Sequence, residues 1–285
     1  MIVTIALNSE NYQLNIEQPL SLAIPIAFQS ATNIASQPNH FSANFAQSKP
    51  MQAGSFIGDT EQGGSCNVNE LTINPHCNGT HTETIAHICD QQHNLTKAID
   101  TLLPAPLMPS VVISITPIAM TELDNESYTP ALMPDDHLIS YASLKNALQN
   151  YSDRQLQSLV IRTLPNNMDK CHQAYNALNQ PAFFTREAIL YLNQRGVEHL
   201  IVDLPSLDRL HDDGLLTCHH LFWQVLEGTH QANEQSLVNK TITELAFVDN
   251  KINDGFYFLN LQMPAFINDA APSRPILYRV EKCTG

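Results

Sequence analysis

Apolar residues recur at every second position in the opening of the chain, through Val3, Ile5 and Leu7 and again through Tyr12, Leu14 and Ile16. That period belongs to half-buried strands, and the polar Asn8 to Asn11 between the two runs reads as a hairpin connection. From 29 to 70 the pattern dissolves into Asn, Gln, Ser, Gly and Pro, ending in Gly63-Gly64-Ser65-Cys66-Asn67. Long irregular segments in compact proteins more often form lids or site walls than linkers, so a site wall is expected here.

Beyond it, 90–103 is compatible with a short helix and Val111 to Ile115 with a strand bounded by prolines. Leu138, Tyr141, Leu144 and Leu148 give 136–150 a helical spacing, and Leu159 to Thr163 is a buried-strand run. Thr185 as N-cap, apolar Ala188, Ile189 and Leu192, and Gly196 as the stop mark the next helix. His199 to Ser206 follows as a strand ending in a polar loop, then 215–227 as a helix. On that helix His219 shares a face with Leu215, Phe222, Trp223 and Leu226, while His220 lies about 100° round. Ile242 to Val248 reads as a strand, and Phe256 to Leu261 with Ile276 to Val280 would close the fold as a pair. Helices alternating with strands predict an α/β protein. No internal repeat interrupts 1–285, which is expected to be a single domain.

With 285 residues, 43% of them hydrophobic, the chain can bury a large core. A formal charge of −14 argues against nucleic acid or an anionic membrane surface as partner. No apolar run approaches the length of a membrane span and no signal-peptide pattern opens the chain, so a soluble, cytoplasmic protein is expected. The six cysteines show no C-x-x-C spacing and are read as free thiols, with Cys77 and Cys218 as buried packing residues.

Chemistry concentrates in Pro75 to His87, P-H-C-N-G-T-H-T-E-T-I-A-H. In an extended Thr80 to Glu83, His81 and Glu83 point one way and Thr82 the other, and a turn at Asn78-Gly79 brings His76 beside them. Two imidazoles and a carboxylate with room for a further ligand suit a catalytic divalent ion. Spacing alone also allows a polar turn beside a hydrogen-bonded core histidine, and for His219 a bond to a backbone carbonyl.

Taken together, 76–87 resembles the H-x-G-T-H-x-D-x-P-x-H signature of the metal-dependent hydrolases that include bacterial kynurenine formamidase and the cyclase family. The segment through Ser206-Leu207-Asp208 is similar to that family's D-x-P-S-x-D, His219-His220 to its double histidine, and Thr243-Glu244-Leu245 to its I-x-E-N-L-like segment. The chain departs from the pattern in having two residues between His76 and Gly79, Glu83 for aspartate, Ile85 for proline, and extra residues in 228–240. The resemblance implies a single swivelling β/β/α domain with a mixed sheet and flanking helices. It implies two divalent ions, zinc or manganese, one held by His76, His81 and Glu83, the other by Glu83, His219 and Glu244. His87 would be the catalytic acid and base. The implied reaction is hydrolysis of an amide or ester, formamidase-like or on a cyclic amide or lactone, by a homodimer acting on a small molecule. Two other readings stay open: a mononuclear non-haem iron oxygenase, suggested by the two-histidine, one-carboxylate pattern, and a non-catalytic binding protein with a vestigial site.

Overall fold

The computed structural model describes residues 1–7, 10–30, 37–38, 40–90 and 97–282. Among these residues eleven strands form one mixed sheet. Four of them, Met108–Ile115, Ser158–Thr163, His199–Val202 and Thr241–Glu244, run parallel at its centre. Antiparallel strands flank them: Gly255–Asn260, Ile276–Lys282, Glu10–Asn15 and Ile2–Leu7 on one side, His81–Glu83 and Ala270–Pro272 on the other. The fold is α/β with few helices, as the alternating pattern predicts.

Both faces of the central strands are covered, which explains why they read as continuous apolar runs rather than alternations. Leu159 and Ile161 face the helices Tyr141–Leu148, Arg186–Gln194 and Thr217–Trp223, in a core with Leu144, Ile189, Phe222 and Trp223. Val160, between them, faces the other way, onto Leu22, Tyr257, Leu259 and Leu277. The N-terminal hairpin is present, pairing Val3 with Leu14 and Ile5 with Tyr12, although residues 8–9 of its connection lie outside the described part. The closing pair is also present, with Phe258 opposite Tyr278.

Several elements differ from their sequence patterns. No helix spans the described part of 90–103, which carries only a 3-10 turn at Ile99–Thr101, and residues 91–96 lie outside the description. The helical spacing of 136–150 begins in a strand, His137–Ile139, because Ser140 caps the helix through its side chain and starts it at Tyr141. The helix expected over 215–227 is Thr217–Trp223, bounded by Leu216 and Gln224 in left-handed conformation. The strand through Glu244 stops there, since Leu245 has φ 51° and turns its N–H to the Leu204 carbonyl. Among the described residues of the irregular 29–70 segment and just past it, two short ribbons form, Gln47–Pro50 with Asn69–Thr72 and Gln52–Ala53 with Phe56–Ile57. Among the described residues no helix is long and apolar enough to cross a membrane.

His199 opens one central strand, with Nδ1 2.8 Å from the Thr241 hydroxyl of the next. Burial lowers its pKa to about 4, against about 6.5 in an unfolded chain. Between those values the unfolded chain binds more protons, so stability rises with pH across the window and is lost as pH falls from 6.5 towards 4. Urea midpoints at pH 7.5 and 4.5 are expected to differ less in His199→Asn than in the parent; an unchanged difference contradicts this role.

Candidate metal centre and active site

The site lies beyond the carboxyl ends of the parallel strands, where open α/β sheets place their ligands. Asn74 caps the single helical turn Pro75–Asn78, its side chain accepting from the His76 N–H, and this turn presents His76. Gly79 follows with no room for a side chain, since a Cβ there would stand 2.9 Å from Ile26 Cγ1. The chain then extends through His81–Glu83. Antiparallel pairing sets His81 directly opposite Glu244, close enough for their side chains to meet. Thr82 points to the other face, with its hydroxyl 2.7 Å from that of Thr243. Thr84 caps a 3-10 turn, Ile85–His87, that carries His87 back over Glu83. The alternation expected for 80–83 is therefore present, and a helical turn takes the place of the simple Asn-Gly turn.

Glu83 is fully buried at the centre. Its Oε2 is 3.2 Å from His76 Nδ1 and 3.8 Å from His87 Nε2, and its Oε1 is 3.0 Å from His219 Nε2. Glu244 lies 3.5 Å from both His81 Nε2 and His219 Nε2. Despite these approaches, both Glu83 oxygens and the Nε2 atoms of His81 and His219 lack any hydrogen bond of acceptable geometry. The other side of each of these two rings is occupied. His81 Nδ1 faces the Gly79 carbonyl at 3.0 Å, and His219 Nδ1 faces Asp208 Oδ2 at 2.5 Å. An acceptor there engages the Nδ1 N–H and leaves Nε2 as the nitrogen that faces the cluster, the usual preparation of a metal-ligating histidine. Among the described residues, ligand atoms converge within 4.8 Å in three sets: His76, His81 and Glu83; Glu83, His87 and His219; His76, His87 and Asp269. The first is the set read from the sequence. The expected second set of Glu83, His219 and Glu244 is not among the three: His87 joins Glu83 and His219 where Glu244 was expected, and Glu244 lies 3.5 Å from His219 Nε2.

The electrostatics follow from packing acids and imidazoles together away from water. Burial pushes the Glu83 carboxyl up, but the His87 and His219 imidazoles overcome it and hold the group well below the usual carboxylate range. Asp208 and Asp269 are held down against burial by the same kind of partner, His219 for one, His76 and His87 for the other. Conversely, burial opposes the charge on His76, yet Asp269 and Glu83 raise it to about 10. Glu83 and Asp208 raise His219 well above its ordinary value. Such a cluster wants positive charge, whether protons or a cation. Cys77 and Cys218 are buried and their thiols are pushed up, Cys77 to about 11, so neither is a thiolate, in line with a packing role.

Two groups of the site carried no assigned role in the sequence. Asp269 precedes the edge strand Ala270–Pro272 and places Oδ2 2.8 Å from His76 Nε2 and 3.4 Å from His87 Nδ1. No local spacing announces it; only the pairing of that strand with His81–Glu83 brings it in. Asp208, part of the quoted Ser206 to Asp208 segment, accepts from the backbone N–H groups of Cys218 and His219 and from the Tyr128 hydroxyl while holding His219. The inward His219 therefore bonds a carboxylate, not a backbone carbonyl. His220 is buried outside the cluster.

The Cyclase family model matches residues 14–209, from the second strand to just past Asp208. The chain belongs to this family. His219, Glu244 and Asp269 lie beyond the matched span. No curated protein matches the chain in sequence. Among solved structures, a Bacillus stearothermophilus protein described as a predicted metal-dependent hydrolase aligns with TM-score 0.55 at 14% identity, over 92% of this chain and 98% of that one. Isatin hydrolase A from Labrenzia aggregata, bound to benzyl benzoate, gives 0.56 at 14% over 93% and 94%. Isatin hydrolase A from Ralstonia solanacearum gives 0.53 at 16% over 92% and 91%. At these identities the likeness is one of fold. Membership of the Cyclase family, with an α/β sheet, also separates this chain from the all-β barrels of the oxygenase reading.

Because Asp269 and Glu83 raise His76 to about 10, a cation taken up at His76 displaces a proton, and loading the protein with Zn²⁺ at pH 7.5 should release protons. Calorimetric titrations in buffers of different ionisation enthalpy are expected to give different apparent heats; buffer-independent heats contradict the site.

Proposed function

We propose that this Cyclase-family chain is a metal-dependent hydrolase of small amides or esters, with N-formyl arylamines, cyclic amides such as isatin, and lactones as the substrate classes to test. The observation that carries the reading is the buried convergence of His81 Nε2, His219 Nε2 and both Glu83 oxygens, none of them hydrogen-bonded. Leaving four such atoms unsatisfied inside a protein is costly, and bound divalent cations would satisfy them. His76, His81 and Glu83 would hold one ion; Glu83, His219 and Glu244 a second, zinc and manganese both suiting nitrogen and carboxylate donors.

When bound, such ions supply Lewis acidity and a lowered pKa for water at neutral pH. The remaining work falls to the chain. Asp208 keeps the His219 ring in place, and the Gly79 carbonyl does the same for His81. His87 and His76 are 26% and 24% exposed at their side chains, unlike His81 and His219, and of the two His87 is the one this reading leaves off the metal, so it is the imidazole that can serve water and a leaving group. With Asp269 beside Nδ1, its Nε2 is the atom that would take a proton from the attacking water and pass it to the departing amine or alcohol. Glu83 is one methylene longer than the family's usual aspartate, and it fills the centre without leaving the strand.

The test is a hydrolase screen of the metal-loaded protein with formanilide, N-formylkynurenine, isatin, lactones and cyclic imides. Turnover of at least one class is expected, falling ~10²- to 10⁴-fold in His87→Ala while metal is retained. Glu244→Gln should keep about one ion where the parent holds about two. No turnover across the panel contradicts the hydrolase; metal loss in His87→Ala makes His87 a ligand; an unchanged count in Glu244→Gln leaves a mononuclear site.

A further inference from the structure

His76 and His87 stand side by side, their rings stacked with 4.4 Å between centroids and 29° between planes. The two nitrogens of each ring face different carboxylates. Inward, His76 Nδ1 and His87 Nε2 lie 3.2 Å and 3.8 Å from Glu83 Oε2. Outward, His76 Nε2 and His87 Nδ1 lie 2.8 Å and 3.4 Å from Asp269 Oδ2. Two imidazoles are thus held between two acids, and the two ends differ in depth. The side chains of His81, Glu83 and His219 are at most 1% exposed, whereas those of His76, His87 and Asp269 are 24%, 26% and 20% exposed.

The outer atoms are spaced for a cation. With metal–ligand bonds of about 2.0–2.2 Å, two donors of a tetrahedral ion stand about 3.3–3.6 Å apart, close to the 2.8 Å and 3.4 Å found around Asp269. All three outer donors fall within 4.8 Å of one another. A neutral imidazole has one free lone pair, because its other nitrogen carries the proton. With an ion on the Asp269 side, His76 ligates through Nε2 and keeps its proton on Nδ1, facing Glu83. With an ion on the Glu83 side it ligates through Nδ1 and donates the Nε2 proton to Asp269. The two positions exclude each other at His76, so the outer one has its three donors only before the inner one fills.

We propose that Asp269, His76 and His87 form an outer cation site at the mouth of the cluster, where a divalent ion binds first and from which it passes inward to Glu83, a role that rests on the metal reading of the cluster. Glu83 is fully buried, and His76 and His87 stand between it and solvent. A hydrated ion coming from solvent therefore meets the half-exposed rings and Asp269 before any inner donor. The Asp269 carboxylate draws the ion in and takes the place of part of its water shell. The two rings then serve the ion at either end, His76 by exchanging which nitrogen holds its proton through solvent water.

Trp223 is the one tryptophan of the chain and lies 5.7 Å from His219 between ring centroids, so Co²⁺ arriving at the inner cluster quenches its fluorescence. Stopped-flow mixing of metal-free protein with Co²⁺ tests the proposal in the parent, Asp269→Asn, Asp269→Glu and His87→Phe, with bound cobalt measured after gel filtration. The association rate constant is expected to fall about tenfold in Asp269→Asn and to recover in part in Asp269→Glu. It should also fall in His87→Phe, which keeps the stacked ring and the local negative charge but removes the nitrogens. Cobalt bound at saturation should stay at the parent's level in all three. A rate constant within twofold of the parent's in either Asp269→Asn or His87→Phe overturns the proposal; faster release to a chelator with unchanged association makes Asp269 an orienting partner of His76 and nothing more. Where Asp269→Asn does not fold, the His87→Phe rate decides. A parent that binds no cobalt instead sinks the metal reading, and this proposal with it.

Discussion

A carboxylate buried among imidazoles, Glu83, is the constraint around which the structure is arranged. A lone ionised carboxylate in a dry interior would take up a proton. This one stays charged because His76, His87 and His219 close on it from three elements. Those rings are oriented in turn by groups outside the cluster, Asp269 for His76 and His87 and Asp208 for His219. Removing any orienting group would free a ring to rotate and leave Glu83 less well matched.

The sheet makes this geometry rigid. Pairing of Thr241–Glu244 with His81–Glu83 fixes Glu244 opposite His81, and pairing of His81–Glu83 with Ala270–Pro272 brings Asp269 alongside. Thr80, just before this strand, ties it to two other segments, its hydroxyl accepting from the Ile24 N–H and donating to the Leu245 carbonyl. The acidic and basic side chains therefore sit on hydrogen-bonded strands and capped turns, which resist the repulsion that arises among them whenever a proton or cation leaves.

Much of this was legible in the residues. Strand alternation placed His81 and Glu83 on one face, and the helical face through Phe222 and Trp223 turned His219 inward, because both features depend on local periodicity. The family resemblance was needed for Glu244, whose strand gives no local sign of a site. Asp269 was not legible, since it arrives by a pairing between segments nearly two hundred residues apart. The boundary misjudged at 136–150 shows the same limit: Leu138 fits the helical spacing, but Ser140 captures a backbone N–H and the residues before it join a strand.

Anomalous diffraction at the manganese edge, from crystals of the protein grown with Mn²⁺, tests the central claim most directly. The account predicts a peak within about 2.0–2.3 Å of Glu83 and His81 Nε2, with a second near His219 Nε2 when both ions bind. A cluster with no anomalous peak in crystals that carry manganese elsewhere, its Glu83 oxygens bonded instead to protonated histidines, would contradict it.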